Sequence, residues 1–238
     1  MQHYFGTIVN GKAILTGDQS HHLVDVRRGE KGEIIEVSEE GESYLCRIES
    51  IEPLEISVIE KIEHKRETDI DLTIAFALLK GDHNDLIVLK GTELGVSSFL
   101  PFTSKRCIVS VGDKAEKKRE RLEKIAMEGA KQCRRDMVPS VKPICSFADI
   151  LSLDYDVKLF AFEGDAGQSN SLWKEAQKMG KRQSVLLVIG PEGGFDHDEV
   201  ALASDYGFTF VSLGRRILRA ETAAIYGASI LSAYGEEE

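Results

Sequence analysis

Two glycine-bearing loops and one pair of opposite charges are the parts of this chain best suited to chemistry. The first loop is Ile189-Gly190-Pro191-Glu192-Gly193-Gly194-Phe195. Glycine puts no Cβ in the way, so a ligand can approach the backbone closely. Pro191 fixes its own φ and removes one donor. The loop has neither the Gly-Lys-Ser/Thr of a phosphate-binding loop nor the spacing of a dinucleotide fingerprint. Alone, it reads equally as a tight turn or as a ligand loop. The second is Leu213-Gly214-Arg215-Arg216-Ile217-Leu218-Arg219-Ala220-Glu221-Thr222-Ala223. Here Leu213, Ile217 and Leu218 offer an apolar cradle, Gly214 permits close approach, and Thr222 brings a hydroxyl to a helix start. Arg219 and Glu221 place opposite charges beside that cradle. The plain structural alternative is a helix N-terminus whose dipole favours Glu221 in its first turn.

The elements around these loops alternate strand and helix. Ile70 to Phe76, Phe99 to Phe102, Cys107 to Val111, Val157 to Phe162, Ser184 to Ile189 and Phe208 to Val211 are short apolar runs of the kind buried in a parallel sheet. Helices are predicted from Asp82 to Leu94, stopped by Gly95, and from about Glu221 to Tyr234. Another starts at the Asp113 to Glu116 capping signal. It carries Leu122, Ile125, Ala126, Gly129, Ala130 and Cys133 on one face and Lys117, Lys118, Arg121, Lys124 and Lys131 on the other. The first 65 residues read differently, as closely spaced strands. Tyr4 to Val9 runs into Asn10-Gly11, a hairpin signal. Glu33 to Ser38, Tyr44 to Ile48 and Leu54 to Ile62 follow, a pattern that points to a small β-barrel. The charged, nonperiodic stretch 63–69 sets the boundary, giving a small β-barrel over 1–68 and an α/β domain over 69–238.

The chain has 238 residues, 42 % of them hydrophobic and 29 % charged, as expected of a globular protein with a full core. No apolar run is long enough to cross a bilayer, and the start has no basic, apolar leader pattern, so a cytoplasmic location is expected. The four cysteines form no C-x-x-C pair, which speaks against a structural zinc site. His21-His22 is a poor chelate because neighbouring side chains diverge. The net charge is −10, yet residues 103–142 carry 12 basic and 6 acidic side chains. Screening makes such a local balance matter more than the total for phosphate contact, although a solvated helix face explains it as well.

The two loops, in this order at the end of an α/β chain, resemble the SPOUT class of methyltransferases, and within it the family that methylates N3 of uridine 1498 in 16S ribosomal RNA. The likeness extends over nearly the whole chain. His21-His22-Leu23 with Arg27, Lys90-Gly91-Thr92-Glu93-Leu94-Gly95-Val96 with Pro101 and Arg106, and Gln132-Cys133-Arg134-Arg135 precede the loops in the family's order. Two positions depart from it. Val26-Arg27-Arg28 stands for Val-Leu-Arg, and Gly91 takes a place usually held by a better helix former.

The resemblance implies a PUA-like N-terminal barrel, a C-terminal trefoil knot and a homodimer. It implies S-adenosylmethionine as the cofactor and the small ribosomal subunit's RNA as partner. The cofactor residues it points to are Phe162, Glu163, Ile189, Gly190, Glu192, Gly194, Leu213, Gly214, Ile217, Leu218, Arg219, Thr222 and Ala223. RNA contacts fall on His21, His22, Arg27, Arg28, Arg106, Gln132 and Arg135. No metal is implied. Because uridine N3 holds a proton at neutral pH, the reaction needs a base or a stabiliser of the uridylate anion. Arg219 is assigned to charge on the uracil carbonyl oxygen, and Glu221 either orients Arg219 or takes the proton.

Overall fold

A computed structural model describes residues 1–63, 66–107, 114–164 and 170–236. The predicted strand continuation over 108–111 and the Asp113 capping residue lie outside this set. The chain forms two compact units, one from Met1–Glu67 with Ala130–Val138 and the other from Thr68–Gly129 with Pro139–Glu238.

The first unit is a closed barrel of β1 (Gln2–Val9), β2 (Lys12–Leu15), β3 (Ile34–Glu39), β4 (Glu42–Ile51) and β5 (Leu54–Ile62), in the order β1-β2-β5-β4-β3. The hairpin between β1 and β2 turns on Asn10 and Gly11 at φ 50° and 75°, the pair of positive values a tight two-residue turn demands. Parallel pairing of β1 with β3 closes the ring and leaves no open edge. Helix α1 (Gly17–His21) and a π-helical turn, His22–Val26, follow β2. The sequence pattern did not show them, because five-residue pieces carry too little periodicity. Tyr4, Leu15, Leu23, Ile35, Val37, Cys46, Ile48 and Ile56 fill the barrel. The Cys46 thiol in that core is pushed up to about 11 by burial.

The second unit is a parallel sheet with helices on its faces. In chain order its elements are β6 (Asp71–Ala77), α2 (His83–Glu93), β7 (Ser98–Thr103), α3 (Ala115–Cys133), β8 (Ser140–Val141), β9 (Cys145–Ser146), α4 (Phe147–Leu151), β10 (Val157–Ala161), β11 (Asn170–Ser171), α5 (Leu172–Ala176), β12 (Ser184–Ile189), α6 (His197–Asp205), β13 (Thr209–Ser212) and α7 (Ala220–Gly235). The strand order is β11-β13-β10-β12-β6-β7-β8, with β9 also on β7. Strand β12 thus lies between β10 and β6, both of which precede it in the chain. Alternation along β6 supplies both layers: Ala75 and Ala77 join the cluster of Phe102, Phe147, Phe160, Phe195 and Phe208, while Leu72, Ile74 and Phe76 are buried on the other face.

Two helix details explain sequence features. Leu122, Ala126, Gly129 and Ala130 of α3 are buried, with Ile125 and Cys133 half-buried beside them. Gly91 of α2 stands where an added Cβ would come within 2.6 Å of the Phe99 ring. The departure from a better helix former is therefore a packing requirement.

Candidate functional site

All strands that carry the candidate loops are parallel, so their C-terminal ends lie along one edge. Register pairs Val188 with Ala75, Ile189 with Phe76, Phe160 with Val188, and Ala161 with Val211. The segments that follow β10, β12, β13 and β6 therefore emerge side by side. Ligands in open α/β sheets bind at such an edge where the strand order reverses, and here the order reverses around β12.

The first loop is built around Phe195, which folds back into the core. Its ring centroid lies 4.3 Å from that of Phe160 and 5.6 Å from that of Phe147. A Cβ on Gly190 would stand 2.7 Å from this ring, so residue 190 has to be glycine for the loop to sit down. Gly194 takes φ 68°, and its amide donates to the Pro191 carbonyl at 2.9 Å, closing the turn. The loop then enters α6 through a capping box. Asp196 accepts from the Asp198 amide, and Glu199 accepts from the Asp196 amide. Bonding from the Asp198 amide, then Lys105, holds the Asp196 carboxyl below its usual range. Arg106 donates to the Gly193 carbonyl at 3.3 Å and to Asp196 at 3.2 Å. This predicted RNA contact thus braces the loop.

The second loop leaves β13 with Leu213 half-buried and Gly214 at φ 119°, a value side-chain-bearing residues avoid. Nothing lies within 4 Å of where a Cβ on Gly214 or Gly194 would stand, so both glycines face open space. Ile217 is 80 % exposed, with Leu218 half-buried next to it. An apolar shelf beside open backbone suits a flat ring with a polar edge. Arg219 is the exposed N-cap residue of α7, and Thr222 is exposed one turn in. The Ala223 amide donates to the Arg219 carbonyl at 2.8 Å. Phe162, half-buried after β10, donates its amide to the Val211 carbonyl at 3.1 Å, and Glu163 beside it is exposed.

Sequence reasoning missed a third wall, the β6–α2 segment. Glu192 of the first loop accepts from the Lys80 amide at 3.2 Å. Asn84 fixes that segment by accepting from the Leu79 amide at 2.9 Å and donating to the Leu79 carbonyl at 2.7 Å. His83 Nδ1 lies 3.4 Å from Glu221 Oε1. Glu221 is buried to 8 % exposure and pairs with His83, whereas Arg219 makes no ion pair among the described residues. The position of His83 depends on sheet order and left no sequence signal.

The RNA candidates divide. His21, His22, Arg27 and Arg28 fall together in the segment after β2. His21 pairs with Asp25 at 2.7 Å and Arg27 with Glu33 at 3.2 Å. His22 is half-buried near Tyr4, and Arg28 is exposed at φ 55°. Gln132 is exposed in the last turn of α3. Arg135 is different: it is 4 % exposed and grips Glu67 through Nε and Nη2. A buried, paired guanidinium is placed to fasten the fold, whereas the sequence alone suggests a surface cation. On α3, Lys117, Arg121 and Lys124 line an open groove with Asp85 and Glu120. Arg121 there pairs with Asp85, so part of the basic face is already neutralised. Burial holds the Lys118 ammonium below its ordinary value.

A PUA-type barrel and a parallel α/β domain with a glycine-lined ligand edge define a class of RNA-modifying protein. Comparison with known families agrees: the RNA methyltransferase domain model matches residues 66–232 and the RNA methyltransferase PUA domain model matches residues 15–61. The chain belongs to the RNA methyltransferase family, among relatives named ribosomal RNA small subunit methyltransferase E. That of Bacillus subtilis is 39 % identical over 226 residues, covering 92 % of this chain and 88 % of the relative. That of Mesomycoplasma hyopneumoniae is 33 % identical, covering 90 % of each. Among solved structures, the Neisseria gonorrhoeae ribosomal RNA small subunit methyltransferase E bound to S-adenosylmethionine superposes with a TM-score of 0.86 at 26 % identity. It covers 98 % of this chain and 97 % of its own. A Legionella pneumophila structure in complex with the same cofactor gives 0.86 at 28 % identity, covering 98 % and 96 %. No helix among the described residues is long and apolar enough to cross a membrane, and no cluster of metal-ligating side chains occurs among them.

Proposed function

We propose that the protein transfers a methyl group from S-adenosylmethionine to N3 of a uridine in small-subunit ribosomal RNA, at the uridine 1498 site. The observation that carries this reading is the ligand edge itself. Gly194 and Gly214 face open space beside Leu213, Ile217 and Leu218, and two solved structures with this fold are complexes with S-adenosylmethionine. Gly190, Glu192 and Gly194 line one side, with Ile189 beneath. Leu213, Gly214, Ile217, Leu218, Thr222 and Ala223 line the other. Phe162 and Glu163 close the end.

When bound, the cofactor supplies an electrophilic methyl group, so the protein has mainly to orient the base and manage its proton. Arg219 is exposed and makes no ion pair among the described residues, which leaves its guanidinium for the charge that develops on a uracil carbonyl oxygen. Glu221, buried at the start of α7, either takes the N3 proton or keeps the cationic group in place. The barrel over 1–68 serves RNA binding through Arg27 and Arg28, and 69–238 is the methyltransferase domain. A trefoil knot and a homodimer belong to the same reading.

The test is transfer of labelled methyl into undermethylated small subunits, their naked RNA and bulk transfer RNA, with the product nucleoside identified by mass spectrometry. N3-methyluridine in ribosomal RNA is the expected result. Label confined to transfer RNA overturns the substrate, and an Arg219→Ala variant with normal binding and full turnover removes the charge-stabilising role.

A further inference from the structure

We propose that His83 is a positioning residue for this reaction, holding the Glu221 carboxylate so that Arg219 meets the substrate as an unpaired cation. The inference rests on the roles given above to Arg219 and Glu221. Only Ala220 separates the two along the chain, so in a flexible segment a carboxylate would find the guanidinium as its nearest opposite charge. In the fold it does not. Glu221 lies 3.4 Å from His83 Nδ1, with its side chain 10 % exposed. Arg219 is exposed, with no ion pair among the described residues.

The geometry makes His83 a fixed mount. It is the first residue of α2, a helix that packs on α7. Asn84, the next residue, is buried and clasps Leu79 through both its amide atoms. Glu192 anchors the same segment at the Lys80 amide. His83 and Glu221 each lie in the first turn of their helix, so the N-termini of α2 and α7 both offer positive potential here. The groups that hold the Glu221 side chain are therefore two helix ends and one imidazole, none of which is Arg219.

This arrangement separates charge from hydrogen bonding in a way that substitution can test. His83 is 44 % exposed, so changing it leaves the core intact. His83→Ala is expected to lower kcat about 10- to 100-fold, because the released Glu221 carboxylate can then turn to Arg219, with KM for RNA little changed. Calorimetric S-adenosylmethionine affinity should stay within about twofold, because the cofactor loops are untouched. His83→Lys, which puts a charged donor beside Glu221, should recover most of the rate, while His83→Gln should not. In a double-mutant cycle with Glu221→Gln the two losses should fail to add. An active wild type with a fully active His83→Ala overturns this inference alone. So does a His83→Lys enzyme as slow as His83→Ala, since that would make the imidazole itself the required group. A wild type that transfers no methyl overturns the reading of Arg219 and Glu221 from which the inference starts.

Discussion

Replacing Gly190 by alanine tests the way the first loop is seated. The added methyl would stand 2.7, 2.9 and 3.2 Å from three atoms of the Phe195 ring. All three are short of the roughly 3.5–4.0 Å at which carbon atoms pack. The ring has little room to retreat, because it is 8 % exposed and wedged against Phe160 and Phe147, with Phe102 stacked at 6.4 Å. Overpacking of this kind costs about 1–3 kcal/mol. In a protein of this length each kcal/mol lowers the melting temperature by about 2–4 °C. If the core absorbs the clash, the expected fall is thus about 2–12 °C. If the loop lifts instead, the melting temperature holds and cofactor affinity drops. Differential scanning calorimetry with and without S-adenosylmethionine separates the two, and a Phe195→Leu change in the same chain should recover part of either loss. A Gly190→Ala protein with unchanged melting temperature and unchanged affinity would refute the reasoning.

Other consequences follow from the same kind of contact. Gly91→Ala should destabilise, reversing the roughly 1 kcal/mol gain that helix propensity alone predicts, because Phe99 occupies the space; chemical denaturation gives the sign. Arg135→Ala leaves the Glu67 carboxylate without its main partner and should cost about 3–5 kcal/mol in the same assay. At unchanged temperature and well below the melting transition, RNA affinity should respond far less than it does to Arg27→Ala. The Asp196 carboxyl is held low in the folded chain, so its contribution is present above the ordinary aspartate range and is lost as pH falls through the folded value. Asp196→Asn should therefore flatten the acid limb of a stability profile, measured by denaturant midpoint against pH.

Much of this arrangement was legible in the sequence, for reasons that can be stated residue by residue. Strands declare themselves through alternation or short apolar runs, as β1 and β12 do. The two loops stand out together, because glycines after sheet strands recur in this order at the end of an α/β chain. The capping box at Asp196 and Glu199 was equally readable, and would have located α6 had the Asp-x-x-Glu spacing been followed there. What could not be read is adjacency. Glu192 meets Lys80 across 112 positions because β12 lies beside β6, and no local pattern encodes that neighbour. His83 joins Glu221 because α7 packs on α2, a helix pairing equally absent from any local pattern. Arg135 looked like a surface cation because its partner, Glu67, lies 68 positions away. Burial belongs to the fold, and charge alone does not announce it.

The insertion of β12 between β10 and β6 also governs how the domain comes into being. While the chain is being synthesised, β6 and β10 leave the ribosome before the strand that joins them exists. Until Ile189 emerges, each has an unsatisfied hydrogen-bonding edge facing the missing strand, the condition under which partly made chains associate wrongly. Loop closure over so long a segment is slow. The glycine loop that follows β12 is therefore among the last pieces to take shape, and the ligand edge of the domain does not exist before its sheet is complete.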